Sequence, residues 1–277
     1  MSFASEGNEI AAALEAADPA AQLRAIAEIA GSPATRLSAA GVGALVRCLG
    51  AESKPVRRHA AEAAALAAPH DSRIVSALHA MLANPAPRAR FGAAYALGLL
   101  GGDDFDLRAA GALYEALGDG DGDVRWAAHD LLMRIGGEYP APVRAGLLAL
   151  ARGGAPDARK MALYCLRDLA PDGAEVLHAA GDASAADDTH VRLASLAILA
   201  RLPNFRREAA SIAARMLESD PNSGVRRAAA AALGLIAHAS PRVLESLERA
   251  ADGELDSGLS RAARTALKRL AARAAQT

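Results

Sequence analysis

The chain has 277 residues with 31 basic and 32 acidic side chains, and its net charge of −1 excludes a protein held to nucleic acid by overall charge. Alanine dominates an apolar fraction of 52% while aromatics make up 3%, a composition that points to closely packed helices. Cys48 and Cys165 lie far apart within helical patterns, so they offer neither a disulfide framework nor metal-ligand spacing and are expected as buried thiols, with no cofactor. The opening MSFASEGNEI lacks a basic segment followed by an apolar one, and no charge-free apolar run approaches membrane-spanning length. A soluble cytoplasmic protein is expected.

One arginine returns on a fixed beat. Arg57, Arg90, Arg125, Arg159, Arg192 and Arg226 are separated by 33, 35, 34, 33 and 34 residues. Val or Ala precedes each, and a small residue follows three places later: Ala60, Ala93, Ala128, Ala162, Ser195 and Ala229. A period of this length predicts stacked two-helix units, an outer helix followed by an inner helix that opens near the arginine.

In the first unit Gln22 takes the arginine slot, Arg24 is displaced, and Ala25 and Ile29 supply the apolar positions. Val42, Leu45, Val46 and Leu49 then mark one face of an outer helix. Ser53-Lys54-Pro55 follows, with Ser53 as an expected N-cap and Pro55 as a first-turn residue, before the inner helix VRRHAAEAAALAA. Ile74, Leu78, Met81 and Leu82 repeat the outer pattern ahead of Asn84-Pro85. Later inner helices carry Leu97 and Leu100, Leu132 and Ile135, Leu166 and Leu169, Leu199 and Leu202, then Leu233 and Ile236 at slots +7 and +10. Residues 181–188 are the loosest stretch, with no linker long enough to divide the chain. In the last unit Leu259-Ser260 occupies the Val-Arg slot, and Arg264 stands where inner units carry Ala or Leu. Eight units of ~34 residues fill the chain. They predict a single solenoid over 1–277 whose terminal repeats, about 1–34 and 240–277, act as caps.

The segments VRRHAAEAAALAA from Val56, VRWAAHDLLMRIG from Val124 and VRRAAAAALGLIA from Val225 resemble the HEAT-repeat family, specifically the HEAT-like repeats shared with phycobilisome-lyase subunits. The resemblance implies an all-α, right-handed α-solenoid of about eight two-helix repeats, with inner helices on the concave side. It also implies that the repeated arginines join turns between units by pairing with acids and carbonyls. Asp121, Asp123, Asp157, Asp187, Asp188 and Asp220 stand in those turns. A planar donor fork suits such sites better than a phosphate-binding ladder would require.

The arginine slot also serves as a ruler. At ~100° per residue, slots −1, +3, +7 and +10 face the core and slots +1 and +5 face away from it. The outward slots hold Arg58 and Glu62, Phe91 and Tyr95, Trp126 and Asp130, then Lys160 and Tyr164. Four of the chain's nine aromatics fall there, in three consecutive units. They predict a binding groove for a protein or peptide centred on Trp126, Tyr95 and Tyr164, flanked by Asp130 and Lys160 and widened by Met133, Arg134, Met161 and Arg167. The competing arrangement packs these side chains against one another as an inner wall.

Catalytic constellations are missing. Trp126 and Asp130 at i and i+4 are similar only in that pairing to HEAT-like alkylpurine DNA glycosylases, and the seven histidines lack the His-Glu pairs of HEAT-repeat di-iron hydroxylases. The GDGDGD run at 118–123 starts like a calcium loop, but Val124 stands where the turn needs Gly. Residues 257–277 carry Arg261, Arg264, Lys268, Arg269 and Arg273 with no acid, which predicts an acidic partner or a solubilising cap. The expected function is therefore a non-catalytic scaffold. Rival readings are a tetrapyrrole (bilin) lyase-like or chaperone subunit, and a nucleic-acid-binding protein or glycosylase.

Overall fold

The computed structural model describes residues 3–101, 107–169, 172–253 and 257–275. Within the segments expected as caps, residues 1–2, 254–256 and 276–277 lie outside the described residues. The described residues form sixteen α-helices and no strand. In order these are α1 (Phe3–Glu15), α2 (Pro19–Gly31), α3 (Ala39–Cys48), α4 (Lys54–Ala67), α5 (Ser72–Met81), α6 (Pro87–Leu100), α7 (Leu107–Ala116) and α8 (Gly122–Glu138). Then come α9 (Pro140–Gly153), α10 (Pro156–Asp168), α11 (Ala174–Ser184), α12 (Thr189–Leu199), α13 (Arg206–Ser219), α14 (Ser223–Ile236), α15 (Pro241–Asp252) and α16 (Ser257–Ala274). They make the eight expected pairs, each repeated arginine lying in the first turn of an even-numbered helix.

Local chemistry starts these helices. Asp18, Ser38, Asp71, Asp188, Asn222 and Ser240 accept hydrogen bonds from backbone N–H groups of the first turn, which no intrahelical carbonyl could reach. Ser53 occupies the N-cap position of α4, but its side chain makes no capping bond, contrary to expectation. Pro55 sits in the first turn, where a missing N–H costs nothing. The 181–188 stretch is tighter than its composition suggested. Residues 181–184 complete α11, and Asp188 caps α12.

The helices gather into two compact units, 1–116 with 121–138 and 117–120 with 139–277. In the first, α2, α4, α6 and α8 lie side by side in sequence order, with α1, α3 and α5 in a second layer. In the second, α10, α12, α14 and α16 form one layer and α9, α11, α13 and α15 the other. Most core slots are filled as the period requires, while Val124 at slot −1 and Leu100 and Leu169 at slot +10 are half-buried. Ala60, Ala93, Ala128, Ala162, Ser195 and Ala229 are all fully buried, as are Leu97, Leu132, Leu199 and Leu233. Burying each of those leucines is worth ~1.5–3 kcal/mol, and the small +3 residue lets neighbouring helices close on it. Gly92 marks the tightest approach in α6: a Cβ there would stand 2.6 Å from the Leu49 carbonyl oxygen. Gly234 plays the same part in α14, where a Cβ would meet Ala266 Cα at 2.9 Å.

Candidate functional site

The repeated arginine is structural. Nη1 of Arg57 donates to the Ala51 and Glu52 carbonyls at 2.7 Å each, five and six residues back in the turn between paired helices. Arg90 reaches Asn84 and Pro85 in the same way, Arg192 reaches Ala186 and Asp187, and Arg226 reaches Asp220 and Pro221. Arg159 donates through Nε to Ala151. Where the consensus drifts, the role persists. Gln22 donates to the Leu14 carbonyl, and the Ser260 hydroxyl lies 2.7 Å from the Gly253 carbonyl. Two arginines also reach forward into the next pair: Arg90 to Glu115 at 2.7 Å, and Arg192 to Asp220 through Nε at 2.8 Å and Nη2 at 3.1 Å. The turn aspartates do varied work. Asp220 accepts from Arg192, Asp188 caps α12, and Asp157 pairs with Lys160. Asp121 accepts from the Asp123 N–H, which with Lys54 holds its carboxyl below the usual range.

The first unit gathers part of the predicted groove. Arg58, Phe91 and Tyr95 line a cavity of about 230 Å³ together with Lys54, Arg57 and Asp123. The Phe91 and Tyr95 rings stand 5.9 Å apart and tilted by 41°, one turn apart on α6, and Leu49, Ala61, Gly92, Val124 and Ala127 complete the walls. Two of the three cations lining it have acid partners, and the third, Arg57, is held by turn carbonyls. Arg58 pairs with Glu62 at 3.0 Å, and Lys54 pairs with Asp123 and, at 3.5 Å, with Asp121. Through Asp123, Lys54 links the first turn of α4 to that of α8. Glu62 and Asp123 raise the proton affinity of Arg58 and Lys54 respectively.

Other predicted residues are not among those that line the cavity. Trp126, 54% exposed on α8, has its ring centroid 5.3 Å from that of His129, with the two planes at 68°. Asp130 lies 3.2 Å from His129 Nδ1, Met133 is half-buried, and Arg134 donates to the Gly98 carbonyl. Trp126 does not line the cavity and so is not its centre. Lys160, Tyr164 and Arg167 belong to α10 in the second unit. There Arg167 stacks over the Tyr164 ring at 5.0 Å and pairs with Asp168 at 2.7 Å. Met161 is buried at 3% exposure and adds nothing to a surface patch, because its place on α10 faces the core.

The ruler missed Lys54 and Asp123. Extended backward, slots −2 and −3 fall on the same side of the helix as +1 and +5, so the signal was in the spacing. Both cysteines are buried and free, and burial pushes the Cys48 thiol above its ordinary range. Among the described residues no cluster of His, Cys, Asp and Glu could hold a metal ion, and no helix is long and apolar enough to cross a membrane.

The model of HEAT repeats matches residues 44–133 and 181–268, more than half of the chain. The chain belongs to the HEAT-repeat family. The HEAT architecture accounts for the period, the paired helices and the all-α fold, and makes the molecule a helical repeat scaffold. No curated protein matches it. Among solved structures, human deoxyhypusine hydroxylase in complex with glycerol aligns over 98% of this HEAT chain and 97% of its own, at 19% identity and a TM-score of 0.40. An engineered protein aligns over 97% of this chain and 79% of its own, at 20% identity and a TM-score of 0.48. At those scores neither carries anything about function.

Proposed function

We propose that this HEAT-repeat protein is a non-catalytic scaffold that seats a protein segment on the even-helix face of its first unit. One large apolar or aromatic side chain of the partner enters the cavity walled by Phe91 and Tyr95. The observation that carries this is the cavity itself: two tilted aromatic rings over an apolar floor, edged by cation–acid pairs that are already matched. Aromatics supply contact area, and matched charges set register without demanding a highly charged ligand. A volume of about 230 Å³ falls below the ~300–1,000 Å³ of sites for drug-sized ligands, which favours a single anchoring side chain over a tetrapyrrole.

The test is selection from a displayed peptide library on the full chain, followed by calorimetry on the selected sequences. The expected outcome is a recurrent bulky apolar anchor whose affinity falls about 30-fold or more with Tyr95→Ala or Phe91→Ala, the scale of an interface hot spot. Circular dichroism checks that the helices persist. Peptides that bind both variants as well as the parent would overturn the assignment. Visible absorbance acquired on mixing with a bilin would instead favour the pigment-handling alternative.

A further inference from the structure

The second unit ends on a face of a different kind. Arg227 of α14, at slot +1, and Arg261 and Arg269 of α16, at slots +1 and +9, line one cavity of about 440 Å³. The rest of the described wall is Ala231, Gly258, Ala262, Thr265 and Ala266, so no acidic side chain among the described residues lines it. All three arginines are exposed. On other even helices several outward cations have an acid beside them: Arg58 has Glu62, Lys160 has Asp157 and Arg167 has Asp168. Arg264 and Lys268 extend the positive surface along α16 into a neighbouring hollow that also includes Asp252, and Arg264 is itself anchored on the Ala251 carbonyl at 3.0 Å. Gly234 sets the width of the cleft, because α16 lies so close to α14 there that a Cβ would strike Ala266.

We infer that this cleft binds the oxyanion side chains of an acidic peptide. Guanidinium groups grip carboxylates and phosphates through parallel N–H donors, and three around one hollow present more positive charge than a neutral ligand could use. The small residues of the wall leave room for backbone, whereas the Phe91–Tyr95 cavity is shaped for a ring. The inference is independent of the proposal for the first unit, since it involves none of the same residues.

The experiment is fluorescence anisotropy of the full chain with a short fluorescein-labelled glutamate-rich peptide at low salt. A second arm replaces glutamates by phosphoserines, and a third uses a single-stranded oligonucleotide of similar charge. Expected is saturable peptide binding that weakens steeply with added salt, as screening requires. An Arg227→Ala, Arg261→Ala variant should lose about tenfold or more in affinity while Arg207→Ala, an exposed arginine on α13 outside both cavities, changes it less than about twofold. Arg269→Lys retains charge and separates a bidentate grip from a simple point-charge attraction. Tighter binding in the phosphoserine arm would assign phosphate as the preferred group, and tighter binding of the glutamate peptide would assign carboxylate. No saturation at millimolar protein, an unchanged affinity in the double variant with intact helices, or stronger binding of the oligonucleotide than of both peptides would each overturn the inference.

Discussion

At slots +1 and +5 the first unit presents Arg58 with Glu62 and Phe91 with Tyr95, whereas the second ends on Arg227 with Ala231 and Arg261 with Thr265. The backbone positions are equivalent and the chemistry is not. In the first unit Lys54 and Arg58 at the cavity edge each have an acid beside them, Arg57 is held by turn carbonyls, and two aromatic rings line the cavity. The second unit holds a buried pair, Arg192 with Asp220, and gathers Arg227, Arg261 and Arg269 on α14 and α16 around a wall with no acid among the described residues. A repeat scaffold can therefore change its ligand chemistry on one face without altering the slots that hold it together.

The hardest test of this contrast is the buried pair. Asp220 keeps 4% and Arg192 10% of side-chain exposure, while Glu115, the partner of Arg90, keeps 58%. Asp220→Ala strands a buried guanidinium and should cost about 3 kcal/mol, against less than about 1 kcal/mol for Glu115→Ala, measured by urea denaturation. Equal losses would erase the difference between the units.

Close approach comes next. Gly92→Ala and Gly234→Ala each force a Cβ into a neighbouring helix and should cost about 1–3 kcal/mol. Gly92→Ala should also weaken apolar peptides at the first cavity and spare acidic ones, with Gly234→Ala doing the reverse. Calorimetric melts and the two peptide titrations check both halves.

A smaller effect lies in acid. Glu218 of α13 accepts from Ser246 and pairs with Arg242 and Arg249 of α15, and these hold its carboxyl below the ordinary value. A depressed carboxyl contributes stability in full above its unfolded pKa and loses it as pH falls through the lower folded value. About 1 kcal/mol should disappear on acidification below the ordinary glutamate range, and Glu218→Gln should flatten that step in a pH series of urea melts.

The smallest effect is expected at the most conspicuous residue. Trp126→Ala should change stability by less than about 0.5 kcal/mol and leave anchor-peptide affinity unchanged, because the indole is half exposed and outside the cavity wall. A large loss of affinity would move the site onto α8.

Trp126 also shows where sequence stops being informative. Its slot was legible from the arginine period, as were the buried Ala60, Ala93 and Ala229, since these follow from helical spacing, while the turn-closing work of Arg57 and Arg192 was legible through the resemblance to HEAT repeats. Its partner was not, because whether an outward ring leans toward His129 or toward a neighbouring helix depends on rotamer and local curvature. The same gap hid the pairing of Lys54 with Asp123, which are 69 residues apart in the chain and meet only in the folded stack, from the first turns of α4 and α8. The buried Met161 was misplaced for a related reason: the ruler gives direction around a helix, not the depth to which the adjoining helix covers it.

The slot residue, whether Arg57, Arg192, Gln22 or Ser260, fastens onto carbonyls no more than about ten positions behind it. A helical pair closed in this way carries its own clasp and borrows little from distant chain. Low contact order of this kind predicts rapid, piecewise folding that can begin at any pair and spread to its neighbours. It also makes the pair the natural unit of duplication, because a copied segment arrives with the means of closing its own turn.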